Sequence, residues 1–590
     1  MAAELIMVRM KTAVLRHSLT GRRAGIVATG GLLGIALAGG TIVLALSAPA
    51  LLPAAYAVWM LGWMLGPVFA GGGDETLRPE YFALLGLPPR RLARALLASA
   101  FVGVAPAASL LALGGLLVEG VRHGAGAAVV AVPAMVLHLA MFVLLSKVAV
   151  AVLAIVLRSR LGAVLAGVIN ATILAALGQG WVFAVAFGVN GTVPQFVRYL
   201  PSGWGVLAVQ GDWRRAVMAL AAMALLVALL LAAWAALLAR RTSANRTNGR
   251  APTPTGRREG GQPKDRQAVP QSRVVLGKEL RTWSRDLLRT HQLTFALAYG
   301  LAFAAAPLIL GWPGMLCWAG PIFVAMAAGM SANLYSGDGT ALWLTLMIPD
   351  AKDVRGRQLA WLATVGPPAT ALTVTLTALV DGPWPMVLAL LVALLGGGAG
   401  LVPLMSVYAL VPGTDPHRRP GNPLRSTDDD GSASGLVYAM LALCALTAAP
   451  AALVAWLYGW PGVAVGLLTG LSCAWGLGHL AQRRLSTHGP ELLHLMRTGR
   501  PPTTAKTPQN LPRREQIITA ICWGFGAIPL IPQGIVPGIL KVTGTGSRGW
   551  FLALYLPEWL QWPTIVCMTL LGLTMYGLGL WIPRRHRRQP

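Results

Sequence analysis

Residues 216–239 read AVMALAAMALLVALLLAAWAALLA, an uncharged apolar run between Arg214-Arg215 and Arg240-Arg241. As an α-helix its 24 residues span about 36 Å, more than the roughly 30 Å hydrocarbon core of a bilayer. Arginine pairs at both ends hold such a helix across a membrane. Comparable runs recur at 24–46, 51–70, 95–118, 126–157 and 161–188 before it. After it they recur at 292–311, 314–335, 360–380, 386–411, 434–457, 462–481, 517–538 and 562–582. The sequence therefore predicts an all-α polytopic membrane protein with about 14 transmembrane helices.

Composition agrees. Of 590 residues, 55% are apolar and 12% are charged, about half the charged fraction of a soluble domain. The net charge of +27 would point to nucleic acid in a soluble chain, but the basic residues sit in alternate loops. With the N-terminus in the cytoplasm, 41 of the 48 Lys and Arg fall in cytoplasmic segments and six in outer loops. Lys147 alone lies inside a run. This positive-inside split predicts a multi-pass membrane protein with both termini in the cytoplasm and no nucleic-acid partner. Met1 to Arg23 carries no cleavable signal pattern. The five cysteines lie in apolar runs without metal-ligand spacing and read as buried thiols.

The first twelve runs form two sets of six with matching landmarks. Leu15-Arg16 pairs with Leu280-Arg281, Asp74 with Asp338, Thr76 with Thr340, Leu87-Pro88 with Ile348-Pro349, and Gly103 with Gly366. The register holds until 189–212, a 24-residue outer loop with almost no counterpart in the second set. Two parallel six-helix repeats plus a C-terminal helix pair follow. The domains are then a first half (1–241), a disordered basic linker (242–272), a second half (273–499), and a linker with the C-terminal pair (500–590). Each half opens on a basic amphipathic stretch, Met7–Leu19 and Val274–Arg289, of the kind that lies on a membrane surface. Glycines at 30, 31, 34, 39, 40, 396, 397, 398 and 400 predict close helix packing.

No phosphate-loop motif occurs, and no cytoplasmic segment is long enough for an ATPase domain. The most informative segments are the loops between the second and third runs of each set. The first contains Asp74-Glu75-Thr76-Leu77-Arg78-Pro79-Glu80-Tyr81-Phe82-Ala83-Leu84, and the second Asp338-Gly339-Thr340-Ala341-Leu342-Trp343-Leu344-Thr345-Leu346. In each, an acid and a threonine stand at the start of a short helix, as helix N-termini favour. An apolar stretch follows and ends at proline. Short helices with exposed apolar and charged faces suggest docking surfaces.

These loops, the leading amphipathic helices, Tyr199-Leu200-Pro201-Ser202-Gly203-Trp204-Gly205, Lys278-Glu279-Leu280-Arg281-Thr282-Trp283 and Gly489-Pro490-Glu491-Leu492-Leu493 resemble type-two ABC exporter permeases of actinobacteria over about residues 1–495. The resemblance implies a transport subunit rather than an enzyme, with separate ABC ATPase subunits, two copies per permease, docking on coupling loops. The contacts would come from Asp74, Glu75, Arg78, Tyr81 and Leu84, and from Asp338, Thr340, Trp343 and Leu346. ATP and magnesium would sit on the partner, with no cofactor or metal on this chain. The cargo would be hydrophobic or amphipathic: an antibiotic, drug, lipid or modified peptide.

Lys147 lies about 16 Å along a helix from Arg158, at mid-membrane depth, where a charge faces a cavity or partner; it is a candidate for the translocation path. Phe196, Tyr199 and Trp204 make the loop 189–212 too apolar for a free tether and suit an outer interfacial lid. Two other classes compete. A proton-coupled secondary drug transporter of the major-facilitator kind shares two six-helix halves, but no acid lies deep in any run to serve a proton relay. A lipid-linked glycosyltransferase would need clustered outer acids, whereas Glu119, Asp212, Asp381 and Glu558 are scattered.

Overall fold

The computed structural model describes residues 2–18, 24–69, 89–156, 159–180, 182, 186, 195–247, 271–347, 352–412, 432–498, 512–542 and 551–587. All regular elements among them are helical, and fourteen helical segments are long and apolar enough to cross a membrane. The helices of the first six runs are α1 (Ala2–Ser18), α2 (Ala24–Ser47), α3 (Leu52–Phe69), α4 (Pro89–Ala100), α5 (Val104–His123), α6 (Ala125–Val156), α7 (Arg160–Gly178), α8 (Gln195–Tyr199), α9 (Trp204–Gln210) and α10 (Trp213–Thr247). The next six runs contain α11 (Gln271–Arg285), α12 (Leu287–Ala305), α13 (Ala319–Met330), α14 (Leu342–Met347), α15 (Asp353–Leu379), α16 (Trp384–Tyr408), α17 (Ser432–Tyr458) and α18 (Pro461–Thr498). The C-terminal pair comprises α19 (Arg513–Phe525), α20 (Ala527–Leu530), α21 (Val536–Val542), α22 (Leu552–Tyr555) and α23 (Glu558–Arg587).

Prolines account for the departures from simple spans. The expected span 95–118 is two helices, α4 and α5, broken at 101–103. In a continuous helix the ring of Pro106 would collide with the carbonyl of Val102, so α5 restarts at Val104 behind Gly103. It then runs on to His123, which takes Glu119 and Arg122 into the helix. The expected span 462–481 continues to Thr498 and kinks at His488, two residues before Pro490. The expected span 517–538 contains Pro529, Pro532 and Pro537 and is split into α19, α20, a π-turn and α21. The linker 242–272 lies mostly outside the described residues; α10 runs to Thr247 and α11 begins at Gln271.

Two large apolar cores form. One gathers Leu52, Tyr56, Leu113, Leu116, Met141 and Phe142 from α3, α5 and α6. The other gathers Phe295, Phe323, Trp361, Leu391, Leu401 and Met440 from α12, α13, α15, α16 and α17. The densest packing, α16 against α18, rests on Gly396 and Gly400, whose Cα faces Gly470 and the Cys473 carbonyl with no room for a Cβ. In α2, Gly31 and Gly34 meet Val104 and Ala108 on α5, while Gly30, Gly39 and Gly40 face open space. All five cysteines are free; Cys317, Cys444 and Cys522 are buried and Cys567 is exposed.

Helices α7 and α12 join the two core regions. Gly167 admits the Thr294 hydroxyl and the His291 carbonyl at close range. His291 Nδ1 lies 3.2 Å from the Ala163 carbonyl, and Gln179 Nε2 donates to the Phe303 carbonyl at 2.9 Å. On the other flank, α19 of the C-terminal pair packs on α2.

Candidate functional site: an ionic hub under the second reverse loop

Between α13 and α15 the chain passes through tight 3-10 turns, Leu334–Ala341, and then α14. The root of this loop is fastened by polar bonds. The Leu334 amide donates to Ser406 Oγ at 2.6 Å, Ser406 Oγ donates to the Ala332 carbonyl at 2.8 Å, and Asn333 Nδ2 donates to the Val411 carbonyl at 2.8 Å. Gly339 then turns with φ +54°, a conformation glycine adopts without a Cβ penalty.

Asp338, beside that glycine, leads into a buried charge cluster. Its Oδ1 accepts from Lys278 Nζ at 3.0 Å and its Oδ2 accepts from Arg357 Nη2. Arg357 Nε donates to Asp353 Oδ2 at 2.7 Å, one turn away on α15, and Nη1 lies 2.9 Å from Glu279 Oε1 on α11. Glu279 Oε2 accepts from Arg289 Nη1 at 2.7 Å at the start of α12. The Tyr335 hydroxyl donates to Asp353 at 2.6 Å, and the Arg357 guanidinium stacks 4.1 Å from the Tyr335 ring centre. Three cations thus balance three carboxylates, and Arg357 at the centre is 1% exposed.

The local sequence builds this arrangement. Glu279 shares its helix face with the apolar Val275, Leu276 and Trp283, so burying that face carries a carboxylate inward. Helix α11 reaches α15 at Gly356, where a Cβ would stand 2.6 Å from Val275. Asp353 and Arg357 are an i,i+4 pair in the first turns of α15. Burial pushes the Asp338 carboxyl upward, but Arg357 and Lys278 outweigh it and hold it below the usual carboxylate range.

The loop presents two sides. Leu342 and Leu346 pack inward on Val354, Val407, Leu485 and Leu492, and Leu346 fills the notch at Gly489, where a Cβ would meet it at 2.5 Å. Trp343, Leu344 and Met347 point outward and are 46%, 52% and 71% exposed. Of the residues predicted from sequence, Asp338 therefore belongs to the hub, Trp343 to the outer face and Leu346 to the anchor. Thr340 lies in the 3-10 stretch, and its side chain is outside the described atoms. Asp74, Glu75, Arg78, Tyr81 and Leu84 lie outside the described residues.

Lys147 is half-buried on α6 and holds an interaction within the protein. Phe196 and Tyr199 on α8 are 65% and 69% exposed, and Trp204 Nε1 donates to the Tyr199 carbonyl at 2.8 Å. The segment after them turns inward: α9 packs on α5, α6 and α10, burying Ser202, Gly205, Val206, Ala208 and Val209. His138, fully buried on α6, holds one end of α9 with Nε2 3.1 Å from the Ser202 carbonyl. Gln210 Nε2 donates to buried Glu119 Oε1 at 2.7 Å at the other end.

The sequence assigns no site role to Arg289, Tyr335, Asp353, Arg357 or His138; Glu279 enters it only within the motif Lys278–Trp283, and Glu119 only as one of the scattered outer acids. The Glu279 position on an apolar helix face and the Asp353–Arg357 spacing are the signals that mark the hub. Among the described residues no group of three or more His, Cys, Asp or Glu side chains is arranged to hold a metal ion. No protein-family profile, curated protein or solved structure matches the chain.

Proposed function

We propose that the chain is the membrane permease of an ATP-driven exporter in the bacterial plasma membrane, powered by separate ATPase subunits. Its two six-helix sets act as pseudo-equivalent halves, its termini are cytoplasmic, and two ATPase copies engage one chain. The cargo is a hydrophobic or amphipathic compound, since the helices present Trp, Met and Leu with almost no charge. The observation that carries this reading is the fastening of the second reverse loop. Its outward face is apolar, while Asp338 is bonded to the spanning helix α15 and, through Arg357, Glu279 and Arg289, to α12. A partner that pushes on Trp343 and Met347 would move both spanning helices together. Helix α12 in turn packs on α7, which extends the same displacement to the first half.

The test is reconstitution with the ATPase subunit encoded beside this chain. A complex holding two ATPase copies, with ATP-dependent efflux of an amphipathic dye, is the expected result. Nucleotide hydrolysis by the isolated chain, or efflux driven by a proton gradient without ATPase, would overturn the reading.

A further inference from the structure

The two leading helices are alike in sequence and opposite in surroundings. Helix α11 turns its apolar face into the protein, with Val275 against Gly356 and Trp283 buried. Helix α1 does the reverse. Leu5, Ile6, Met10 and Val14 are 55%, 57%, 42% and 42% exposed, and Arg9 and Arg16 are exposed beside them. Its contact with the protein, on α4, is made by Met7 against Leu92, Ala95 and Leu96. A helix with an outward apolar face and flanking arginines lies in a bilayer interface.

Beside α1 is an apolar groove of about 560 Å³, within the range of ligand-sized clefts. Leu15 of α1, Ile35 of α2, and Gly103, Val104, Ala108 and Leu111 at the break between α4 and α5 line it. The break creates the groove: small residues at 103, 107 and 108 leave a notch between the bulkier Leu15, Ile35 and Leu111. Of the charges on α1, Arg16 adjoins the groove-lining Leu15 and Arg9 lies two turns earlier; both are exposed, and the helix carries a single acid, Glu4.

We propose that this groove is a binding site for an anionic phospholipid, with an acyl chain between α1, α2 and α5 and the phosphate against Arg9 and Arg16. Only the leaflet is taken from the proposed topology, which makes it the cytoplasmic one. Apolar walls select a chain, and the basic margin selects an anion over a zwitterion. On α11 the corresponding side is occupied, with Val275 against Gly356 of α15 and Trp283 buried.

The full chain, purified without any ATPase, is placed in nanodiscs of mixed phosphatidylglycerol and phosphatidylcholine, and retained lipid is read by native mass spectrometry. The expected result is preferential retention of one phosphatidylglycerol. Replacing both arginines (Arg9→Gln with Arg16→Gln) should weaken it roughly tenfold to thirtyfold, the effect of two cations near a lipid surface. Ile35→Trp, which fills the groove from an already exposed position, should abolish it, while Val217→Trp on α10 should not. Equal retention of both lipids, or unchanged retention in the double arginine variant, would overturn the proposal even if Ile35→Trp failed to insert. Because no ATPase is present, the result is independent of the exporter reading.

Discussion

Asp338 and Arg357 stand nineteen residues apart, one in a reverse loop and the other inside a spanning helix, and bond directly carboxylate to guanidinium. Each is also held from elsewhere, Asp338 by Lys278 and Arg357 by Glu279 and Asp353. The loop is thereby fixed to α15 by charge as well as by packing.

Removing the central cation should be costly. Arg357→Met leaves Glu279, Asp338 and Asp353 facing one another with only Lys278 and Arg289 to compensate. Breaking a buried pair from one side costs roughly 3–5 kcal/mol, so the melting temperature in detergent should fall by several degrees. Arg357→Lys keeps the charge but loses the forked geometry and should recover only part of the loss. In a double-mutant cycle, Asp338→Asn with Arg357→Met should cost less than the two single losses combined.

The hub also sets an acid limit. A carboxyl held below its usual range in the folded state contributes stability above its unfolded pKa of about 4. That contribution is lost as pH falls through the lower folded value. The Asp338 contribution should therefore be complete at neutral pH and at pH 5, and decline only below about pH 4. Asp338→Asn should remove this acid-side component while leaving the neutral-to-pH 5 profile flat. Melting curves for both proteins from pH 7 to pH 3 test this; a hub-dependent loss already complete at pH 5 would contradict it.

What the sequence revealed, and what it hid, follow from one distinction. Span positions depend on long apolar runs, a local property, so an apolar helical segment long enough to cross a membrane lies at or beside each of the fourteen runs, with 95–118 shifted to 104–123. The Gly396–Gly400 stripe announces close packing, but not its partner Gly470, and the same reading fails at Gly30, Gly39 and Gly40, which face open space. Breaks at Pro106 and Pro490 were visible as residues but not as consequences, because a proline inside a bilayer run either kinks or splits a helix according to its neighbours. The hub is a tertiary fact: Lys278, Glu279, Arg289, Asp338, Asp353 and Arg357 come from four separate elements, so no window of sequence contains them together. The loop 189–212 was read as interfacial from its aromatics. Phe196 and Tyr199 are indeed exposed, but the following turn enters the bundle because Ser202, Gly205 and Ala208 are small enough to fit between α5, α6 and α10.

That inward segment gives a third prediction. A methyl group at position 205 would stand 2.7 Å from His138 Nδ1 and 3.0 Å from Leu116 Cδ1. Gly205→Ala should destabilise the protein by about 1–3 kcal/mol, the usual cost of overpacking. His138→Ala removes the imidazole that meets the Ser202 carbonyl and opens space for the methyl group. The double variant should therefore be more stable than the sum of the single losses implies. Strict additivity in detergent melting would show that α9 does not bear on His138.

The last prediction separates docking from folding within the second reverse loop. Trp343 and Met347 are exposed, whereas Leu346 is wedged at Gly489 and against the cluster around Leu485 and Leu492. Exposed substitutions away from packed features usually shift stability by less than about 0.5 kcal/mol. Trp343→Ala with Met347→Asp should therefore leave the melting temperature unchanged, and under the proposed function should abolish ATPase capture and ATP-driven efflux. Leu346→Asp places a charge in the anchor itself and should lower stability and capture together, since it moves the face as well as losing the contact. Capture by the exposed double variant at wild-type affinity, measured by co-purification at matched expression, would remove this face from the docking surface. Loss of capture at unchanged stability would place the contact on Trp343 and Met347, with Asp338 acting behind them as the residue that holds the face in position.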